Sequence, residues 1–226
     1  MKVCYCADKR VLPLLKMSAD TVKKFNPGAE IVVVSKKVLP VPYRNLLLDT
    51  GDHILRRHDF DRVTEATYYK LFLPTLGFDR CLYLDCDTLC TGPLGELWEV
   101  DVPYIGLCHS HNTGISQARK LGVPLYGSAG LLFFNCEELR KIHFTQTLMR
   151  VLKNLNPPCH FYHDETLLNA TYWDLFTFLP ARFFKCKNRS YSAYRDEVLF
   201  ENAVVRHYIG GQRDAQEHDY REIMSR

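Results

Sequence analysis

The sequence has no apolar stretch near the length of about 18 residues that a membrane-spanning helix requires. No signal peptide is legible either. Met1-Lys2 leads into the short apolar run Val3 to Ala7 rather than a longer hydrophobic region, so the expected location is the cytoplasm. Like charges never run to five in a row, and 29 Lys plus Arg stand against 26 Asp plus Glu, a net charge of +3. That balance lacks the basic footprint of a nucleic-acid-binding or membrane-surface protein, so no nucleic-acid partner is expected. Repeats and low-complexity tracts are missing, and so are a G-x-G-x-x-G after the first strand and any G-x-x-x-x-G-K-[ST], which argues against a dinucleotide Rossmann site and a P-loop. A disulfide framework is also unsupported: the nine cysteines are odd in number, and Cys4, Cys6, Cys81 and Cys108 fall in predicted strands. They read as reduced, buried thiols. Cys81, Cys86 and Cys90 lack the second Cys-x-x-Cys or His pair that would complete a structural zinc site.

What is present is an ordinary globular composition, 46% hydrophobic and 24% charged over 226 residues. At roughly 150 residues per domain the length favours a single unit over residues 1–226. Val3 to Ala7 is apolar on both faces, as in a buried parallel strand. Val11, Leu14, Leu15, Val22 and Phe25 then recur at helical spacing, and Asn26-Pro27-Gly28 stops that helix before the next strand, Ile31 to Val34. This is a βαβ opening to an α/β fold. Lys36 to Val63 reads as loops and one short strand, and Thr64 is placed to cap a helix ending at Leu73 before Pro74. Cys81 to Leu84 reads as a central strand, followed by strands at Tyr104–Cys108 and Leu131–Phe134. Asn135 with Glu138 predicts the cap of a helix reaching Lys153, and Asp164 the cap of a short helix through Asn169. Phe176–Leu179 and Val204–Tyr208 are the last predicted strands.

In open α/β sheets the ligand lies beyond the carboxyl ends of the strands, which gives weight to Asp8, Asp85, Asp87 and His207. Asp85 and Asp87 stand one residue apart where a strand ends, so their carboxylates can converge on one divalent cation. With an imidazole from His207 the set becomes mixed oxygen and nitrogen, which suits Mn²⁺ (or Mg²⁺) and leaves positions open for phosphate oxygens. The implied ligand is a metal-bound diphosphate.

Five motifs, in order, carry a resemblance across nearly the whole chain: Cys6-Ala7-Asp8; Tyr68 to Leu71; Leu82-Tyr83-Leu84-Asp85-Cys86-Asp87 with Ser128-Ala129-Gly130; Asp164 to Asn169; and His207 to Gly210. Together they resemble the family 8 retaining glycosyltransferases. The resemblance implies a GT-A type fold, a Rossmann-like and mostly parallel central sheet with flanking helices. It also implies a hexosyltransferase that uses a UDP-sugar donor, UDP-glucose or UDP-galactose.

On the same basis Ala7 and Asp8 are expected around uracil and ribose, and Lys70 at the donor diphosphate or sugar. Asp85, Asp87 and His207 are the expected Mn²⁺ ligands, with Cys86 between them also against the donor. Ser128 stands where the family usually has Asn, next to Ala129 at the donor sugar, and Gly210 and Arg213 belong to the closing motif, Arg213 in the place of a lysine. Asp164 would orient sugar hydroxyls, and Glu165 stands where Gln is common, near the reacting anomeric carbon. A carboxylate there makes a covalent route to retention available beside same-face displacement. The acceptor is left open among a glycan, a lipid-linked sugar and a protein, with Val102 to Tyr126 as the acceptor-side loop. Ending at Arg226 without a basic, aromatic tail, the chain reads as soluble or transiently recruited. Two alternatives stand beside this reading: a GT-A protein that binds nucleotide or sugar without transfer, and a phosphatase of the haloacid-dehalogenase type, whose D-x-D-G-T motif resembles Asp85 to Thr88.

Overall fold

The computed structural model describes residues 1–50, 64–110, 113–154, 163–187, 199–209 and 212–226. Period-two alternation decides how its central sheet divides the interior. In β1 (Lys2–Cys6), Cys4 and Cys6 join one apolar cluster while Val3 and Tyr5 join another on the opposite face. After helix α1 (Leu12–Phe25), β2 (Glu30–Ser35) repeats the pattern, with Val32 and Val34 on one side and Ile31 and Val33 on the other. A strand apolar on both faces must be covered on both, and it is.

The short strand expected before Val63 is β3 (Arg44–Leu47). β4 (Arg80–Leu84) and β5 (Thr88–Cys90) flank the D-x-D turn, and α2 (Gly95–Trp98), β6 (Ile105–Leu107), α3 (Thr113–Leu121) and β7 (Leu131–Asn135) follow. Then come α4 (Cys136–Lys141), α5 (Phe144–Asn154), α6 (His163–Tyr172), β8 (Phe176–Phe178), β9 (Phe184–Cys186), β10 (Val205–His207) and α7 (Arg213–Ser225). The main sheet has the order β3-β2-β1-β4-β7-β6-β8, with β4 in the middle as predicted. Only β7 runs against its neighbours. All other carboxyl ends therefore lie along one edge, where β7 begins: Leu84, the last residue of β4, pairs with Leu131, the first of β7. A second sheet, β5-β10-β9, stands beyond that edge.

Several expectations need correction. The segment after Thr64 is a 3₁₀ helix, Glu65–Leu76, that runs through Pro74, and the Thr64 side chain caps nothing. Residues 68 to 74 are all buried, so this segment packs on every side, which a one-faced amphipathic α-helix would not do. Asn135 does accept a hydrogen bond from the Glu138 N–H (3.3 Å), but its helix stops at Lys141; His143, at φ 53°, turns the chain so that α5 can lay Phe144, Leu148 and Leu152 on the core. Asp164 sits inside the first turn of α6 rather than capping it, and that helix continues to Tyr172. Strands β5 and β9 and helix α7 had no clear sequence signal. Eight cysteines, all those described, are free thiols, as expected of a reduced chain.

Candidate active site

The site forms where β4 ends. Past Leu84 the chain turns through Asp85, Cys86 and Asp87 before β5 pairs antiparallel with β10, placing His207 opposite Thr88. The backbone of this turn is held at successive points. Asp85 N–H donates to the Gly130 carbonyl (2.9 Å), Thr88 Oγ1 to the Asp85 carbonyl (2.8 Å), and Tyr208 N–H to the Asp87 carbonyl (2.9 Å). A buried row of hydroxyls, Tyr5, Ser18 and Thr88, each 2.9 Å from the next, ties the turn to β1 and α1.

This scaffold brings the three expected metal ligands together. His207 Nε2 lies 2.9 Å from Asp87 Oδ1 and 3.5 Å from Asp85 Oδ2, and the ligand atoms of the trio all fall within 4.8 Å of one another. The other imidazole nitrogen, Nδ1, faces Cys186 Sγ at 3.5 Å. Gly130 makes room for the ring: a Cβ there would stand 2.7 Å from His207 Cε1 and Nδ1. Two carboxylates and a nitrogen so placed fit a divalent cation of the Mn²⁺ or Mg²⁺ type. Another grouping, His218, Asp219 and Glu222 on α7, has no such character. Asp219 accepts the Tyr208 hydroxyl (2.6 Å) and faces Arg206 and Lys187, while His218 and Glu222 are exposed.

Lys70 is the hub. Only 1% exposed, it donates to Asp85 Oδ1 (3.0 Å) and the Ala129 carbonyl (3.1 Å) and forms an ion pair with Asp164 Oδ2 (2.8 Å). Burial alone would lower its pKa, yet the Asp164 and Asp85 carboxylates hold it well above the usual lysine value. Burial alone would likewise raise Asp85, but Lys70 and His207, with a hydrogen bond from Tyr83, keep it below the carboxylate range. Asp164 goes the other way: burial wins over Lys70, with Asp85 adding to it, and its pKa is raised. For His207, burial is outweighed by Asp87 and Cys186, and its pKa stands well above that of free imidazole.

Helix α6 grips the Ser128–Gly130 segment. Glu165 Oε2 accepts the Ala129 N–H (2.9 Å), and just before that segment Asn169 takes both backbone polar groups of Gly127, accepting from its N–H (2.7 Å) and donating to its carbonyl (2.9 Å). Burial pushes the Glu165 carboxyl up to about 7 against the lowering effect of the Ala129 N–H. Ser128 and Ala129 are buried, and Ser128 N–H bonds to the Cys108 carbonyl.

The remaining expected residues are spread around this cluster. Ala7 extends the β1 pairing through its N–H to the Val34 carbonyl (3.0 Å), and Asp8 accepts from Arg10 N–H (2.8 Å) while contributing charge near Cys86 and Tyr69. Cys86 is buried, its thiol directed at the Cys6 carbonyl (3.5 Å). Arg213 is exposed and paired with Glu217 (3.0 Å) rather than with any residue of the cluster. Gly210, like His111 and Asn112 of the expected acceptor loop, lies outside the described residues.

The glycosyl transferase family 8 profile matches residues 9–213, most of the chain. The chain belongs to glycosyl transferase family 8. Among relatives, General stress protein A of Bacillus subtilis (strain 168) is 25% identical over 206 residues, 80% of this chain and 71% of that protein. Glycosyltransferase GlyF of Streptococcus pneumoniae serotype 4 is 24% identical over 151 residues, 65% of this chain but 34% of GlyF. Among solved structures, galactosyltransferase LgtC in complex with donor and acceptor sugar analogs matches at a TM-score of 0.82 and 20% identity, covering 100% of this chain and 94% of that one. The fold of this family 8 chain is thus the GT-A type, which removes the haloacid-dehalogenase alternative.

Sequence reading left Tyr83, Thr67, Asn169 and Cys186 without roles in the site. Tyr83 had a usable signal, since its side chain points to the strand face that an extended chain would give the residue two positions on, Asp85, and its hydroxyl does reach that carboxylate. Thr67, which donates to Asp164 Oδ1 (3.0 Å), and Cys186 had none. Among the described residues no helix is long and apolar enough to cross a membrane.

Proposed function

We propose that this family 8 protein is a metal-dependent retaining hexosyltransferase that moves glucose or galactose from a UDP-sugar to an acceptor hydroxyl. The observation that carries the reading is the convergence of Asp85, Asp87 and His207 at the carboxyl end of the central strand. These three would hold Mn²⁺ (or Mg²⁺). When bound, the cation would neutralise the diphosphate as it departs.

The chain's own groups supply position and charge. Ala7 and Asp8, at the end of β1, would meet the uracil and ribose. Lys70 works through the groups it holds: it keeps Asp85 ionised and fixes Asp164 and the Ala129 carbonyl, so that Ser128, Ala129 and Asp164 present a rigid wall to the donor sugar. The Cys86 thiol faces the core, which leaves only its main chain for the donor. Arg213, with Gly210 just before it, would have to leave Glu217 to reach the β-phosphate. Glu165 separates the two routes to retention. As a nucleophile it must be ionised, so the rate would rise through about pH 7; same-face displacement has no such requirement. The acceptor class is a glycan, a lipid-linked sugar or a protein, approaching over Val102 to Tyr126, and we place the reaction in the cytoplasm with residues 1–226 acting as one unit.

The test is thermal stability with UDP, UDP-glucose and UDP-galactose, each with Mn²⁺ and with chelator, for the native chain and Asp87→Asn. A ligand at 100 times its dissociation constant adds about 2.7 kcal/mol. A Mn²⁺-dependent shift lost in Asp87→Asn supports the donor site, and the better of the two sugars enters an acceptor screen. No shift with any nucleotide overturns the metal and donor assignments together. A shift without turnover on any acceptor would favour a binding protein that does not transfer.

A further inference from the structure

Helix α7 begins where the family match ends, and one of its faces is spent on the backbone that carries the candidate metal ligands. Gln212, Gln216, Asp219 and Ile223 follow one another at helical spacing. Gln212 Nε2 donates to the carbonyl of Lys187 (3.0 Å), whose own N–H bonds to the His207 carbonyl (2.8 Å). Gln216, completely buried, directs its Nε2 at the carbonyls of Cys86 (3.5 Å) and Thr88 (3.4 Å), on either side of Asp87. Asp219 takes the hydroxyl of Tyr208, the residue after His207, and Ile223 packs in the small cluster with Met17, Leu89 and Tyr208. One helix face therefore touches both halves of the ligand set, the Asp85–Asp87 turn and the His207 strand.

Both Gln212 Oε1 and Gln216 Oε1 are buried without a hydrogen-bond partner among the described residues. Each amide thus spends its donor on the backbone that carries the ligands while its own carbonyl goes unpaired, a cost tolerated only where the donor's contacts matter. We infer that α7 is a positioning element for the Asp85–Asp87–His207 site, with Gln216 as its central residue and Gln212 as its second. By holding the carbonyls around Asp87, Gln216 sets the direction of the Asp87 carboxylate relative to His207 Nε2. This inference rests on the metal-site reading proposed above.

The experiment is a Mn²⁺ titration followed by the electron paramagnetic resonance of the free ion, with thermal unfolding of each protein in chelator. Native chain, Asp87→Asn, Gln216→Leu, Gln212→Ala and Ile223→Ala are compared. Gln216→Leu takes the donor away from the Cys86 and Thr88 carbonyls and should unfold earlier than the native chain, as Ile223→Ala does, yet its folded form should bind Mn²⁺ about 10-fold more weakly, the scale seen when groups that orient metal ligands are removed. Gln212→Ala should show a smaller loss in the same direction. Ile223→Ala should unfold earlier while its folded form keeps the native affinity. An affinity for Gln216→Leu within about twofold of native, with Asp87→Asn abolishing binding, would overturn the positioning role and leave the metal site standing. The same follows if Ile223→Ala weakens binding as much as Gln216→Leu, since docking of the helix and not the amide would then be the cause. A native chain that does not bind Mn²⁺ overturns the site and this inference together. Should Gln216→Leu not fold, Gln212→Ala decides by the same twofold criterion.

Discussion

The Lys70 cluster and the pair between Arg182 and Glu96 are built from the same kinds of group, a cation against carboxylate oxygens at 2.6 to 3.0 Å. Arg182 and Glu96 are 51% and 68% exposed, and Lys70 is 2% exposed at its side chain. Water screens the first pair whether or not it forms, so its formation matters little to the fold. In the second, the Lys70 ammonium and the Asp164 carboxylate are cut off from water, and each charge depends on the others for its ionisation state. The same contact therefore serves as surface decoration where it is exposed and as the organising feature of the site where it is buried.

The contrast is sharpest if Lys70 is removed. Lys70→Met leaves Asp164 buried without its cation and Asp85 with His207 alone, and should cost about 3–5 kcal/mol in urea unfolding; a cost under about 1 kcal/mol would erase the distinction between the two regions.

Glu165 should give the next largest effect, and one that depends on pH. Its folded pKa, raised to about 7 from 4.5, means the native state holds a proton that the unfolded chain releases in that window. Its contribution to stability is complete below pH 4.5 and is lost as pH rises through about 7, roughly 3 kcal/mol over the whole range. Unfolding free energies measured from pH 4 to 8 should fall across this window in the native chain relative to Glu165→Gln.

Gly130→Ala tests packing within the buried region. The new methyl would meet the His207 ring and Phe184 at 2.7 Å, so the ring must move, at about 1–3 kcal/mol of stability. The Mn²⁺-dependent shift with UDP should shrink as His207 leaves Asp85 and Asp87. Glu96→Ala should change stability by less than about 1 kcal/mol, and by still less in high salt.

Much of this framework was legible. The unbroken apolar runs Val3 to Ala7 and Cys81 to Leu84 announced a strand buried on both faces and a central strand, and the D-x-D turn and His207 stood at strand ends where a ligand would lie. Pattern reading went wrong where one segment had to serve several neighbours. The Glu65–Leu76 stretch buries side chains all round, and the helix after Asn135 breaks at His143 to reach a second surface. Helix α7 is so polar that nothing in its composition marks Gln216 as buried.

Local backbone geometry and the burial of apolar residues, both carried by neighbours in the chain, are what the sequence by itself determined: the β-α order, the double-faced strands, and the carboxylates at their carboxyl ends. The tertiary structure alone decided the partners and the charges. His207 reaches Asp87 across 120 residues, and Lys70 meets Asp164 on another helix. A pKa depends on distance and exposure in space, which spacing along the chain does not contain.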